Sequence, residues 1–128
     1  MWEAYGMTNE DLLWAGTNFF GGIVRHQKAP CGAVSGAAIA LGLRYACPSS
    51  EKEMAKQSRE KSREDAAEFV QSFVEHFNGL TCEELAGYDL SDEEDRNRIF
   101  ESGEQPGKCH DYVKYAIARL YELDAARS

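Results

Sequence analysis

The longest apolar stretch of the chain covers residues 30–45, PCGAVSGAAIALGLRY, and contains no charge before Arg44. An apolar run without a polar face is typical of a helix that is buried on all sides. The run is shorter than the roughly 20 residues that a membrane-spanning helix requires. Three small residues spaced four apart predict a smooth ridge where another backbone can approach: Gly32, Gly36 and Ala40. We therefore predict a central buried helix that begins at Pro30 and ends near Ala46.

Helical patterns also precede and follow this segment. Residues 8–20 predict a short helix that is capped by Thr8 and stopped by Gly21 and Gly22. Residues 51–77 contain no helix breaker, and Asn78 is expected to end this long helix in a left-handed conformation. Its first half is largely charged, whereas its second half carries an apolar stripe at helical spacing: Ala66, Phe69, Val70, Phe73 and Phe77.

The last third of the chain predicts three more helices. Thr81 and Ser91 each begin a capping motif, and the two helices that follow are expected to stop at Gly87 and Gly103. A turn at residues 105–107 precedes the last helix, residues 108–125. Its predicted inward residues follow the same period: Val113, Ala116, Ile117, Leu120 and Leu123.

No segment alternates between apolar and polar residues as a strand would. We therefore predict an all-α fold, a small helical bundle around the buried Gly/Ala-rich central helix, with one long and partly charged helix. The length of 128 residues fits a single helical domain, residues 1–128, with residues 1–7 as a partly ordered lead-in.

The charge pattern narrows the possible partners and location. A net charge of −8 disfavours nucleic acid and anionic membranes as partners. The first 15 residues contain acids and lack a basic start, and no segment has the form of a signal peptide or a transmembrane span. We therefore expect a cytoplasmic protein.

The length of the predicted helix at residues 51–77 bears on the oligomeric state. At about 1.5 Å per residue it would reach about 40 Å. A domain of this size has an expected radius of gyration of only about 14 Å. We therefore expect a homodimer or a larger oligomer, and a monomer by light scattering at high concentration would contradict this expectation.

Three of the four cysteines share one kind of position. Cys31, Cys82 and Cys109 each fall in the first turn of a predicted helix, where the helix dipole and unpaired N–H groups favour a thiolate. If these helix starts converge, they form a pocket suited to thiolates, a disulfide, a metal ion or an anion. The alternative is that the three thiols are simply buried. Cys47 follows the central helix, and we expect it to be inert.

Local charges distinguish the three helix-start cysteines. Arg25 and Lys28, with His26, precede Cys31 and add positive charge, whereas Glu83 and Glu84 follow Cys82. We therefore expect Cys31 to have the lowest pKa and to be the most reactive thiol.

Metal-binding motifs are absent from the sequence. It contains no CxxC and no HExxH, so a metal or iron–sulfur site would have to combine distant residues, with Cys31, Cys82 and Cys109 as candidate ligands. His110 could complete a set of three sulfurs and one nitrogen, although adjacent helical residues point about 100° apart.

The glycine-rich and cysteine-rich segments also carry a resemblance. Residues 19–23 and 31–37, FFGGI and CGAVSGA, resemble the signature of the redox-active family named C_GCAxxG_C_C. Cys82 and Cys109 match the two later cysteines of that pattern, and the resemblance covers about residues 7–123. The first cysteine of the family pattern lies on a helix upstream of the glycine-rich segment, and this sequence begins too late to contain it. The resemblance implies redox activity or metal binding.

The residues and the resemblance together favour thiol/disulfide chemistry or electron transfer through Cys31, Cys82 and Cys109. Such chemistry requires no cofactor. One alternative is a metal or iron–sulfur protein that uses the same cysteines, and another is a structural interaction module with inert thiols. The sequence does not identify the redox partner and does not decide whether the chain is an enzyme.

Overall fold

A computed structural model describes residues 1–101 and 108–127. This part of the chain forms seven helices and no strand, which confirms the all-α prediction. No helix within it is long and apolar enough to cross a membrane. The helices are α1 (Asp11–Ala15), α2 (Phe20–Ile23), α3 (Gly32–Arg44), α4 (Lys52–Phe77), α5 (Cys82–Ala86), α6 (Glu93–Glu101) and α7 (Cys109–Arg127).

Three of these helices, α3, α4 and α7, pack on one another and enclose the core. The apolar stripe of α4 faces inward as predicted, with Phe69 and Phe73 fully buried. The ring of Phe73 lies 4.9 Å from that of Phe77 and 6.0 Å from that of Tyr112, measured between centroids. The remaining buried core residues come from α3 and α7: Val34, Ala37, Ala40, Leu41, Tyr112, Ala116, Leu120 and Leu123.

The central helix is shorter and more exposed than predicted. Pro30 and Cys31 lie before its first residue, and Gly36 and Gly42 face open space, so α3 is not buried on all sides. The predicted close approach occurs only at Gly32, where an added Cβ would lie 3.3 Å from the Phe19 carbonyl oxygen. Another backbone segment therefore packs closely against the start of α3, whereas the surface at Gly36 is not covered.

Helix α7 also faces the core differently from the prediction. Val113 and Ile117, predicted to be inward, are exposed, whereas Tyr112 is buried. The Tyr112 ring packs on Phe73 and Phe77, and its hydroxyl donates a hydrogen bond of 2.8 Å to the Leu85 carbonyl. Ala116, Leu120 and Leu123 are buried as predicted, so the inner face of α7 is displaced toward Tyr112 but otherwise unchanged.

The helix predicted over residues 8–20 begins later and ends earlier in the structure, so both predicted bounds are wrong. Helix α1 begins at Asp11 and ends at Ala15, and the side chain of Asn9, rather than Thr8, accepts a hydrogen bond from the Asp11 N–H. The chain then continues through isolated turns, such as the bond from the Thr17 N–H to the Trp14 carbonyl.

Residues 21–25 form a left-handed turn, with φ values of 59°, 64°, 64°, 50° and 67°. Glycine adopts this conformation without steric cost, but each residue with a side chain loses roughly 1–2 kcal/mol. Gly22 is required for a second reason, because an added Cβ would lie 2.7 Å from the Gln27 Cα atom. The turn reverses the chain and directs Gln27 into the protein, where its side chain is 6% exposed.

Several predicted helix ends are confirmed. Asn78 ends α4 with a φ of 58°, Thr81 and Glu84 form the capping box of α5, and Gly87 ends α5 with a φ of 72°. The predicted stop at Gly103 and the turn at residues 105–107 lie outside the described residues.

One buried charge was not predicted. Asp65 lies within the long helix α4 and is 1% exposed. Its carboxylate accepts hydrogen bonds from the Tyr45 hydroxyl at 2.5 Å and from Arg127 Nε at 2.9 Å. These two partners satisfy a charge that would otherwise be costly to bury.

Candidate thiol site

A short antiparallel bridge between Pro30 and Thr81 brings two of the cysteines together. The Cys31 N–H donates to the Leu80 carbonyl at 2.8 Å, and the Cys82 N–H donates to the Ala29 carbonyl at 3.2 Å. Cys31 and Cys82 each directly follow one residue of the bridge, and they are close enough for the charge of Cys31 to raise the pKa of Cys82, after burial as the main cause. The backbone itself therefore fixes the relative position of the two thiols.

The three predicted site cysteines line one cavity of about 390 Å³. Each lies at a helix start: Cys31 is the N-cap of α3, and Cys82 and Cys109 are the first residues of α5 and α7. The rest of the lining described by the structure is apolar, small or aromatic, and includes Phe19, Phe20, Gly36, Ile39, Tyr88 and Val113. The helix starts thus converge, as the sequence predicts.

The sulfurs of Cys82 and Cys109 are hydrogen-bonded, whereas Cys31 lies near backbone N–H groups. The Gln27 side-chain amide lies 3.7 Å from Cys82 Sγ, and the N–H groups of Ala33 and Val34 act to lower the pKa of Cys31. The Tyr88 hydroxyl is hydrogen-bonded to Cys109 Sγ at 3.6 Å. Such donors stabilise a thiolate when one forms.

Tyr88 remains a proton donor in this site. Burial, the hydrogen bond to Cys109 and the charges of the three thiolates raise the pKa of Tyr88 well above its ordinary value. Its hydroxyl therefore keeps its proton and can donate it in a hydrogen bond to the sulfur.

The expectation that Cys31 has a lowered pKa is wrong. Burial raises the pKa of the Cys31 thiol, and the N–H groups of Ala33 and Val34 offset this only in part. Burial also raises the pKa of Cys82, against the lowering effect of the Gln27 amide. In this site, the free-energy cost of removing a thiolate from water exceeds the stabilisation that the helix starts provide. Cys31 and Cys82 are therefore neutral thiols at neutral pH.

The positive charge expected near Cys31 is also partly neutralised. Lys28 Nζ lies 2.8 Å from a carboxylate oxygen of Glu83, and both side chains are exposed. The guanidinium of Arg25 lies over the ring of Phe20, 5.5 Å from its centroid. Lys28 is paired with Glu83, and salt screens the charges of both cations. They therefore contribute little to the electric field at the Cys31 sulfur.

The raised pKa values predict the pH dependence of alkylation. The rate at Cys31 and Cys82 in the folded, reduced protein should rise with pH and continue to rise above pH 9, because the thiolate forms late. In the chain unfolded by urea, the rates should level off near the ordinary thiol pKa of about 8.5. Peptide mapping after timed alkylation with a small reagent measures the pH profiles of the folded and the unfolded chain. Identical profiles would contradict a raised pKa of Cys31 and Cys82 in the folded protein.

Two residues of the site were missed by the sequence analysis. The Gln27 amide donates to the Tyr88 carbonyl at 2.9 Å, and its oxygen accepts from the Leu90 N–H at 2.7 Å. Gln27 thus ties the left-handed turn to the segment after α5 and places a donor beside Cys82. Neither Gln27 nor Tyr88 belongs to a motif, and only the preceding Gly21 and Gly22 signal an unusual backbone here.

Cys47 lies away from this site. It lines a separate cavity of about 210 Å³ between the end of α3 and the first half of α4, with neighbours such as Arg59 and Ser62. This position agrees with the sequence prediction that Cys47 takes no part in the chemistry of the other three.

A metal centre is not evident in the described ranges 1–101 and 108–127. No group of three or more His, Cys, Asp or Glu residues within them is arranged to hold a metal ion. His110 follows Cys109 but is exposed, and the cavity lining described above does not include it.

Comparison with known proteins gives one finding. The model of a family described as "Putative redox-active protein (C_GCAxxG_C_C)" matches residues 1–123. No curated protein and no solved structure matches the chain. The family match covers nearly the whole sequence and includes all three cavity cysteines and the glycine-rich turn. The chain belongs to the C_GCAxxG_C_C family.

Proposed function

We propose that the protein carries out thiol–disulfide exchange in the cavity lined by Cys31, Cys82 and Cys109. The observation that supports this most strongly is that three helix starts bring three thiols to one cavity, where the sulfurs of Cys82 and Cys109 are also hydrogen-bonded. Exchange requires two thiols within reach of each other and of a substrate disulfide. The family description as redox-active agrees with this chemistry.

The exchange has two steps. A thiolate of the protein attacks one sulfur of the substrate disulfide, which forms a mixed disulfide and releases the other sulfur as a thiolate. A second protein thiolate then attacks the mixed disulfide, which forms a disulfide within the protein and releases the second substrate thiolate. The substrate gains two electrons and two protons, and the two protein thiols lose them.

Cys31 is the attacking thiol in this proposal. It is more accessible than Cys82, which is 8% exposed, and the Ala33 and Val34 N–H groups stabilise its thiolate. Cys82 is the resolving thiol, because the bridge at Pro30 and Thr81 holds it beside Cys31. A disulfide requires Cα atoms within about 7 Å, so formation of the Cys31–Cys82 bond requires the bridge to hold the two residues at such a separation.

Cys109 is neither the attacking nor the resolving thiol in this scheme. Its sulfur lines the same cavity and is hydrogen-bonded to the Tyr88 hydroxyl. Burial is the main cause of the raised pKa of Cys31 and Cys82, and the charge of a Cys109 thiolate adds to it. The exchange therefore proceeds best while Cys109 is a neutral thiol.

Single serine variants test the assignment. We expect a mild oxidant such as diamide to convert two of the four thiols of the native protein into a Cys31–Cys82 disulfide that dithiothreitol reverses. The Cys31→Ser and Cys82→Ser variants should form no disulfide within the chain, whereas the matched Cys47→Ser control should oxidise like the native protein. Thiol counts and disulfide mapping by mass spectrometry measure the outcome. A native protein that keeps all four thiols, or a disulfide that includes Cys47, would contradict the proposal.

Two further expectations from the sequence complete this proposal. A reducing compartment such as the cytoplasm would keep the site ready to react with disulfides. A homodimer would cover exposed apolar side chains on α1 and α7, among them Trp14, which is 73% exposed, and Tyr121.

A further inference from the structure

We infer that the substrate of this site is a small, uncharged disulfide on an apolar skeleton, such as a cyclic disulfide with a short alkyl chain. This inference rests on the proposed exchange and names its substrate class. It is drawn from the volume of the cavity, from the absence of charge in its described lining and from the apolar surface at its opening.

The volume sets the size of the substrate. A cavity of about 390 Å³ falls within the usual range for small-molecule sites. At roughly 30 Å³ for each water-sized group, it accommodates about a dozen non-hydrogen atoms. A five-membered ring with two sulfurs and a short chain fits entirely within this space, whereas a disulfide of two peptides would leave most of its atoms outside the cavity.

The lining argues against a charged substrate. None of the side chains that the structure describes in the cavity wall is charged, and the polar groups among them are the thiols and the Tyr88 hydroxyl. An ion in such a cavity would lose part of its hydration without gaining a charged partner among the described side chains, which disfavours its binding. The net charge of −8 further disfavours the approach of anions.

The opening of the cavity favours an apolar chain on the substrate. Phe20 and Val113 both line the cavity and are 45% and 48% exposed, so they extend its apolar surface outward. Gly36 and Ile39 line the same cavity, and an added Cβ at Gly36 would meet no atom within 4 Å. At Gly36 the cavity wall therefore has no side chain that would obstruct an alkyl chain of the substrate.

The redox balance follows the proposed exchange. One thiolate of the protein opens the cyclic disulfide, and the second closes the protein disulfide and releases the ligand as a dithiol. Two electrons and two protons pass from Cys31 and Cys82 to the ligand sulfurs.

Oxidation of the reduced full-length protein by two probes tests the inference. The probes are lipoamide, which is uncharged and apolar, and glutathione disulfide, which is larger and anionic. Each rate of formation of the protein disulfide is divided by the rate for the same chain unfolded in urea, which removes the intrinsic reactivity of each probe. We expect the corrected rate for lipoamide to exceed that for glutathione disulfide by at least about tenfold, which corresponds to about 1.4 kcal/mol of discrimination.

Two glycine variants locate the preference. Gly36→Leu places a side chain in the cavity and should reduce the corrected lipoamide rate by about tenfold or more. Gly42→Leu is the matched control on the same helix, with equal free space but outside this cavity, and should leave the rate unchanged. Circular dichroism confirms that both variants are folded. Oxidation of the Gly42→Leu variant by diamide should match the native protein.

The outcomes separate the inference from the proposed function. Equal corrected rates for the two probes, or a preference that persists in Gly36→Leu, would overturn the inference while diamide still forms the Cys31–Cys82 disulfide. A protein that forms no disulfide with lipoamide, glutathione disulfide or diamide would overturn the proposed function and the inference with it.

Discussion

Replacement of Phe73 by alanine is expected to lower the free energy of unfolding by about 3–5 kcal/mol. Phe73 is 0% exposed and packs against the rings of Phe69, Phe77, Tyr112 and Tyr115. Its removal deletes a large apolar side chain and leaves a cavity where α4 meets α7, which the surrounding helices cannot fully close. Urea unfolding followed by circular dichroism measures the change.

The next residue on the same helix provides the control for Phe73. Val74 is 36% exposed, so Val74→Ala should cost less than about 1 kcal/mol. Equal effects of the two substitutions would show that α4 does not present the face described here to the core.

Replacement of Gln27 by alanine is expected to lower the free energy of unfolding by about 2–6 kcal/mol. The substitution leaves the buried Leu90 N–H and the Tyr88 carbonyl without their partners, each at about 1–3 kcal/mol. It also removes the amide beside Cys82 Sγ. At urea concentrations below the unfolding transition, we expect Cys82 to be alkylated faster in this variant than in the native protein. The reason is that Gln27 no longer holds the segment that covers Cys82.

Gln71 is the matched control for Gln27. It is an exposed glutamine on α4 whose amide contacts only Glu75 among the described residues, so Gln71→Ala should change stability by less than about 0.5 kcal/mol. If Gln27→Ala is as stable as this control and leaves Cys82 equally protected, Gln27 does not organise the site.

Local features of the fold were predictable from the sequence. Asn78, Gly87 and the Thr81 capping box act within a few residues, so the chain alone indicates where α4 ends and where α5 begins and ends. The helix-start positions of Cys82 and Cys109 follow from the same signals. The inward stripe of α4 was predictable because its period is long and regular.

Features that depend on distant residues were not predictable. Asp65 lies in a charged run and is buried only because Tyr45 and Arg127 approach it from other helices. Val113 and Ile117 are exposed because Tyr112 packs on the α4 rings instead. Neither the hydrophobic periodicity nor any motif of the sequence indicates these contacts between distant residues.

The chemistry of the site was predictable in part. The convergence of Cys31, Cys82 and Cys109 followed from their shared position at helix starts. The direction of the Cys31 pKa shift did not, because the sequence shows the helix start and the nearby cations but not the depth of burial. Burial depends on the left-handed turn at residues 21–25, which no local preference of Ile23 or Val24 favours.

We propose that Cys31 and Cys82 exchange disulfides in a cavity that Cys109 also lines. This is tested by the anaerobically purified protein, analysed in one preparation for metal content, visible absorption and free thiols before and after mild oxidation. We expect no stoichiometric metal, no visible absorption, four free thiols when reduced and two after oxidation, all restored by dithiothreitol. Stoichiometric zinc or iron that protects the thiols, or four thiols that survive the oxidant unchanged, would contradict it.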